Sequence, residues 1–382
     1  MLLSLVLCAA VVMSNHRDPS SVVVFAEKDG GFVNIRIPSV VATQKHTLLA
    51  FAEGRAGTQS DQADNKIILR RSTDGGQTWG RLLVVADDGT NSLNNPCAVL
   101  DRDTGRVFLM YQRIPSGLSE GSGKLADGYD GPNVYRSLLT WSDDDGVTWQ
   151  KPVEVTRSVK RETAVKTIAV GPGIGIQLTR GAHKGRLIMP FNEGPFYLWN
   201  NYAVFSDDHG KTWQMGDNAP GAMITDAKGR QRSQINEVQM AELSDGSVML
   251  NSRQFAGTKL RKAAVSSDGG KSWSKVVDVP EQRDPSCMGS LLRYSFGRGS
   301  DKGILLYSGP DSTDRERGTV YASFDDGKTW PLKKLLMPGS FAYSVLTRLQ
   351  DGKIGCLFET DNYRRIEFVR FDLAWLRMPS LR

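Results

Sequence analysis

Histidine and cysteine are scarce in this 382-residue chain, at four of each. His16, His46, His183 and His209 form no H-E-x-x-H or Cys/His pattern, and His209 falls inside a repeated turn, which argues against a zinc site. The cysteines are Cys8, Cys97, Cys287 and Cys356; if the first leaves with a leader, an odd three remain, so no disulfide framework is implied and one bridge is the most they allow. Long apolar runs are also missing. The opening MLLSLVLCAAVV is too short to cross a bilayer, which needs about 20 residues, but it has the length of a secretory hydrophobic region, with cleavage after Ala10 or Ser14. Residues 1–14 are therefore expected to be a signal peptide, and the mature protein to be secreted or periplasmic, with no stable membrane span. No Lys/Arg-rich block or RNA-binding signature is present, so nucleic acid is not an expected partner. The net charge of +6 points only broadly to anionic partners.

Glycine-lysine-hydroxyl triplets occur at Gly210–Thr212, Gly270–Ser272 and Gly327–Thr329, yet none has the upstream glycine that lets a phosphate-binding loop wrap its ligand. Those positions hold Phe205, Val265 and Ala322, and each triplet runs into tryptophan rather than a helix. The triplets belong to a repeat instead. Five stretches fit S-x-D-x-G-x-[TS]-W, starting at Ser72, Ser142, Ser206, Ser266 and Ser323, and their tryptophans lie about 57 to 70 residues apart.

The octet has the chemistry of a tight turn: the Asp and Ser side chains bind nearby backbone N–H groups, Gly accepts positive φ, and Trp anchors the turn on the core. A short β-rich run precedes each copy, such as KIILRR, RSLLTW, NYAVF, KAAVS and TVYAS. Units of this size, each holding about four short strands, predict an all-β propeller. From near Ser20 onward, about 360 residues divided by a period of roughly 60 give six blades. The sixth is expected to combine KIGCLFET and RIEFVRF with the N-terminal SVVVFAE. No linker or low-complexity tract interrupts the array, so residues 20–382 are expected to form one catalytic domain.

The repeats, together with NIRIPSVV at residues 34–41, resemble the sialidase (neuraminidase) family, whose Asp-box turns accompany an Arg-Ile-Pro motif near the N-terminus; Ile35 stands where most members have an aromatic residue. The resemblance covers essentially the whole chain after residue 20. It implies a six-bladed propeller that hydrolyses terminal α-linked sialic acids with retention, needing no metal or other cofactor. Implied partners are sialylated glycans on glycoproteins, glycolipids or oligosaccharides; oligomeric state is not implied.

Sialic acid carries a carboxylate on its anomeric carbon, and guanidinium groups bind carboxylates through paired hydrogen bonds. Arg36, Arg253 and Arg315 match the family's arginine triad, with Arg317 a close rival for the third place; Glu359 in GCLFETDN matches the carboxylate that holds the first arginine. Asp61 matches the general acid/base, with Asp64 as its neighbouring rival. Tyr343 in GSFAYSVL and Glu237 in QINEVQMAEL match the nucleophile and its base, Glu242 being the alternative base. A phenol suits this substrate, because a carboxylate nucleophile would approach a carbon already bearing a carboxylate. Arg55 and Asn95 are expected to contact the sugar, and Tyr129, Trp199 and Tyr202 are candidates for an apolar N-acyl pocket. A sialic-acid-binding propeller without catalysis and a trans-sialidase are the alternative readings.

Overall fold

A computed structural model describes residues 19–378; the expected signal peptide, residues 1–14, lies outside them. The described chain is built almost wholly of antiparallel strands. A four-stranded sheet forms from Asn34–Ala42, Leu48–Ala56, Asp64–Ser72 and Leu83–Ala86, then a five-stranded one from Ser92–Leu100, Val107–Ile114, Arg136–Ser142 and Val153–Glu154, with Gly173–Ile174 added parallel to the first of these. A third is centred on Thr167–Val170, Leu187–Gly194, Asn200–Ser206 and Gln214–Met215, and a fourth on Val238–Glu242, Val248–Ser252, Leu260–Ser266 and Val277–Arg283.

Apart from a small two-stranded sheet of Met223–Thr225 and Gln231–Ser233, the strands that follow pair as one seven-stranded sheet, because Leu332–Arg348 is a single long strand serving two blades. Its first part, Leu332 to Ser340, pairs with Glu316–Ser323 as the outer strand of the fifth blade. Its second part, from Phe341, pairs with Ile354–Thr360 as the innermost strand of the sixth. Arg365–Phe371 follows, and Ser21–Ala26 adds antiparallel to its far side, so the two ends of the described chain share one sheet as the repeat arithmetic anticipates. The pairing thus resolves into six units of a β-propeller.

The octets explain how neighbouring units lock together. Each lies between the third and fourth strands of its blade. In the first, Asp74 Oδ1 accepts from Ser72 Oγ (2.7 Å), Gln77 N (2.9 Å) and Thr78 N (3.0 Å), while Gly76 N donates to Ser72 Oγ at 2.8 Å. Partial burial pushes the Asp74 carboxyl up, but these donors overcome it and hold the group down to about 2. Gly76, at φ +90°, backs onto the sixth blade so closely that a Cβ would lie 2.2 Å from Phe368 Cε1; Gly210 stands equally close to Phe108 of the second blade. The octet tryptophans fill the same seams, edge-on: Trp79 against Phe368 at 5.4 Å, Trp149 against Phe51 at 5.4 Å and Trp213 against Phe108 at 6.1 Å. The repeat is therefore an inter-blade staple, which is why it recurs with the blade period.

The three described cysteines, Cys97, Cys287 and Cys356, are buried and unbridged. Among the described residues no helix is long and apolar enough to cross a membrane. Since Trp213 is 6% exposed and wedged against Phe108, Trp213→Ala is expected to destabilise the protein by about 3–5 kcal/mol. Denaturant melts read this directly, and an unchanged midpoint would show that the seams tolerate a void.

Candidate active site

The innermost strands of all the blades run the same way along the axis, so their first residues meet at one end. Asn34–Ala42 brings Arg36 there, but only after a break in register between Arg36 and Ser39. Ile37 sits at φ +60°, an unfavourable conformation for a β-branched residue. Glu359, on the adjoining blade, holds this kink. Its Oε1 accepts from Ile37 N (2.8 Å) and Arg36 Nε (3.0 Å), and its Oε2 accepts from Arg36 Nη2 (2.8 Å). Burial pushes the Glu359 carboxyl up, but the Arg36 charge and the hydrogen bonds win and keep it below the usual range. In return, the Arg36 guanidinium, which burial alone would make less basic, is held above the ordinary arginine value chiefly by Glu359. The paired geometry leaves the Nη1 side of Arg36 without a bond to Glu359.

Tyr343 begins the inner stretch of the sixth blade, and Glu237 immediately precedes that of the fourth. The two side chains meet across the axis: Tyr343 Oη donates to Glu237 Oε1 at 2.5 Å. Arg253 Nη1 bridges them, 2.7 Å from Glu237 Oε2 and 2.8 Å from the phenol oxygen. Arg315 lies with its guanidinium 5.3 Å from the centre of the Tyr343 ring and donates through Nη2 to Ser286 O at 2.8 Å. Burial and the Glu237 charge raise the Tyr343 phenol well above its normal value, although Arg253 and Arg315 oppose the shift. The resting group is therefore a neutral phenol bonded to a carboxylate. A phenol in this state gains nucleophilicity only if a neighbouring base takes its proton, and the Glu237 carboxylate is in hydrogen-bond contact with it.

Asp61 stands on an exposed loop with 65% of its side chain open to solvent, anchored by Arg55 Nη2 at 2.6 Å from its Oδ1. Asn94 Nδ2 and Ser92 Oγ both donate to its backbone oxygen, at 2.6 and 3.3 Å. Its charge is felt by Arg36, which puts it on the pocket side. Arg55 is almost fully buried and its Nη2 also meets Glu53 Oε2 at 2.9 Å. Glu53 Oε1 accepts from Asn95 N at 2.8 Å, while Asn95 itself adopts φ +56°. Burial, partly offset by Arg55, raises the Glu53 carboxyl to about 6.

The sequence rivals separate cleanly. Glu242 is at the opposite end of the strand from Glu237, where it accepts from Thr179 and Arg180 of the third blade. Arg317 is exposed at φ +57°, whereas Arg315 faces Tyr343. Asp64 opens the strand that follows the loop, and the ion pair to Arg55 is made by Asp61. Of the aromatic candidates, Trp199 joins Phe196, Tyr197 and Phe255 in a cluster beside Arg253's strand. Tyr202 is buried away from it, its hydroxyl donating to Val159 O at 2.6 Å, and Tyr129 lies under Arg157.

Four residues at the site escape motif reading. Glu53 precedes Arg55 by two, which on a strand puts both on one face. Tyr363 lies under Arg36, ring centre 4.2 Å from the guanidinium carbon, with its hydroxyl 3.4 Å from Arg315 Nη1; it is at φ +69° in an irregular turn, so no strand period announces it. Glu120 and the buried Tyr135 face the same pocket. Burial, then the charges of Glu237 and Asp61, raise the Glu120 carboxyl to about 7. A separate group, Asp101, Asp103 and His209, has the makings of a metal cluster, but Gln177 Nε2 donates to both carboxylates at 3.0 Å and His209 Nδ1 bonds Asp101, so its members satisfy one another.

A family model described as a BNR repeat-like domain matches residues 46–356. A sialidase of Micromonospora viridifaciens is 36% identical over 358 residues, covering 91% of this chain and 52% of the relative, so the chain spans about half of that protein. Sialidase-2 of Mus musculus is 31% identical over 377 residues, covering 88% of this chain and 92% of the relative. Among solved structures, the Hadza microbial sialidase Hz136 superposes with a TM-score of 0.80 at 29% identity, over 93% of this chain and 69% of that one.

Removing one member of a buried ion pair strands the other. Glu359→Gln is accordingly expected to lower stability by about 3–5 kcal/mol, because the Arg36 guanidinium and the kink at Ile37 lose their shared anion. Chemical denaturation measures it; a change under about 0.5 kcal/mol, ordinary for a surface site, would show that Glu359 does not hold the kink.

Proposed function

The chain belongs to the sialidase family, and from that premise we propose that it is an exo-α-sialidase cleaving terminal α-linked sialic acids from glycoproteins, glycolipids and oligosaccharides with retention. The observation that carries this reading is the 2.5 Å contact between Tyr343 Oη and Glu237 Oε1 under the Arg253 guanidinium, with Arg36 and Arg315 flanking the same ring. No metal or cofactor enters the proposal.

Arg36, Arg253 and Arg315 grip the sugar carboxylate, with paired hydrogen bonds fixing the ring above the phenol. Tyr343 Oη attacks the anomeric carbon while Glu237 takes its proton, and Asp61 protonates the departing glycosidic oxygen. The neutral phenol approaches without the repulsion that a carboxylate would meet beside the substrate's own negative charge. In the second half, Asp61 accepts a proton from water as that water attacks the anomeric carbon, and the tyrosyl bond breaks with the proton returning from Glu237. Two inversions leave the configuration retained. The exposure of Asp61 agrees with a group that must meet both the leaving aglycone and solvent water. Arg55 and Asn95 hold Asp61 and the ring hydroxyls. Export directed by residues 1–14, and a single catalytic unit over residues 20–382, belong to the same proposal.

Purified protein should release fluorophore from an aryl α-sialoside between pH 4 and 8. Binding of sialic acid without release would leave only a lectin-like propeller, and transfer products in NMR spectra would indicate a trans-sialidase. Tyr343→Phe should cut kcat by at least about 100-fold while largely keeping affinity for a sialic-acid analogue; Arg253→Ala should weaken both kcat and binding. Equal and small effects from the two variants would overturn the assigned roles.

A further inference from the structure

The far ends of the innermost strands, opposite the candidate active site, enclose a second cavity of about 1210 Å³ on the propeller axis. Every blade contributes to it: most of the lining falls within residues 40–48, 99–102, 174–179, 241–242, 291–296 and 347–351, with residues 73–75 and Arg370 completing the wall. Strand ends alone would make such a funnel in any propeller. Its charge is what is unusual here.

Three carboxylates reach the wall, and each is already taken. Asp74 is bound by its own turn. Glu242 accepts from Thr179 N (2.9 Å), Thr179 Oγ1 (2.7 Å) and Arg180 N (2.7 Å). Asp351 pairs with Arg370 at 2.8 Å. The cations are less well matched. Lys45, Arg102 and Arg348 line the cavity and are exposed to it, and among the described residues none of them forms an ion pair. Arg348 merely overlies Tyr294, 5.4 Å from the ring centre, and Arg102 reaches only the Gln177 carbonyl, at 3.5 Å. Desolvation inside the funnel and the neighbouring Arg348 together pull Arg102 below the ordinary arginine range, against the opposing charges of Glu242 and Asp103. Two guanidinium groups thus face one cavity, and among the described residues neither is paired with a carboxylate. Such convergence is unfavourable unless something negative is shared between them.

We propose that this axial cavity is a second binding site, for a soluble ligand bearing at least two oxyanion groups that bridge Arg102 and Arg348, with Lys45 at the rim. Planar guanidinium forks suit phosphate, sulfate and carboxylate alike. Phosphate esters and acidic saccharides therefore share the required chemistry. The site does not depend on the reaction at the other face.

Calorimetric titration of the whole protein with inorganic tripolyphosphate, and separately with a disulfated disaccharide, tests this. Saturable binding of one equivalent is expected for at least one probe, weakening as salt is added. The probe that binds identifies the source of the ligand. Arg102→Gln combined with Arg348→Gln should weaken binding at least about tenfold, while turnover of an aryl sialoside and the melting temperature stay near those of the parent. Arg253→Ala, at the other face, should leave the titration unchanged, which excludes capture by the arginines there. Should the double variant fail to fold, Arg348→Gln alone, at an exposed position, supplies the same readout at about threefold. Absence of saturable binding to both probes, equal binding by parent and variant, or loss of binding in Arg253→Ala would overturn the proposal.

Discussion

A phenol buried against a carboxylate, with one guanidinium bonded to both, is the interaction on which the rest of the site depends. Tyr343 and Glu237 are separated by 106 positions, and only a closed ring of blades brings the start of the fourth inner strand to face the start of the sixth. Burial makes each polar contact stronger and each unmade one more costly. That is why Arg253 matters beyond its charge: one Nη1 donates to the Glu237 carboxylate at 2.7 Å and to the Tyr343 phenol oxygen at 2.8 Å, so that neither group is left without a partner and the two are held in one geometry.

The same logic organises the neighbouring arginines through buried carboxylates that pair with them. Glu359 fixes Arg36 and simultaneously satisfies the backbone at Ile37, so one buried anion supports both the guanidinium's orientation and a strained kink. Glu53 repeats the device, linking Arg55 to the backbone of Asn95 at another positive-φ turn. Buried pairs of this kind contribute little net stability compared with apolar residues of equal size. Their benefit is geometric: two arginines and two unusual turns are locked in register before any ligand arrives.

Much of this was legible in the chain. The octets announced the blade period because each blade must staple itself to its predecessor through a glycine that admits a neighbouring ring and a tryptophan that covers it. The terminal strand pairing followed from counting. Choices between neighbours were harder to read. Glu237 and Glu242 occupy one strand, and nothing in composition tells which end of that strand faces which pocket; the pairing of Val238 with Ser252, next to Arg253, settles it. Glu120, Tyr135 and Tyr363 were illegible for a different reason. They lie on irregular segments, where neither the strand period nor a motif constrains which way a side chain turns.

The uniform direction of the inner strands also accounts for the two chemically distinct ends of the molecule. A strand that begins at a pocket must end at the opposite mouth about 17–20 Å away, a usual strand length. At the end bearing Tyr343, Arg253, Arg36 and Arg55 are matched by Glu237, Glu359, Glu53 and Asp61, and Arg315 is held by the Ser286 carbonyl. The end bearing Arg348 gathers cations whose nearest carboxylates are already committed to backbone donors or to Arg370. Screening shortens the reach of exposed charge to about a Debye length of 8–10 Å, so the balance at one mouth does little to neutralise the other. The unmatched end must be compensated locally, by solvent ions or by a ligand shaped to it.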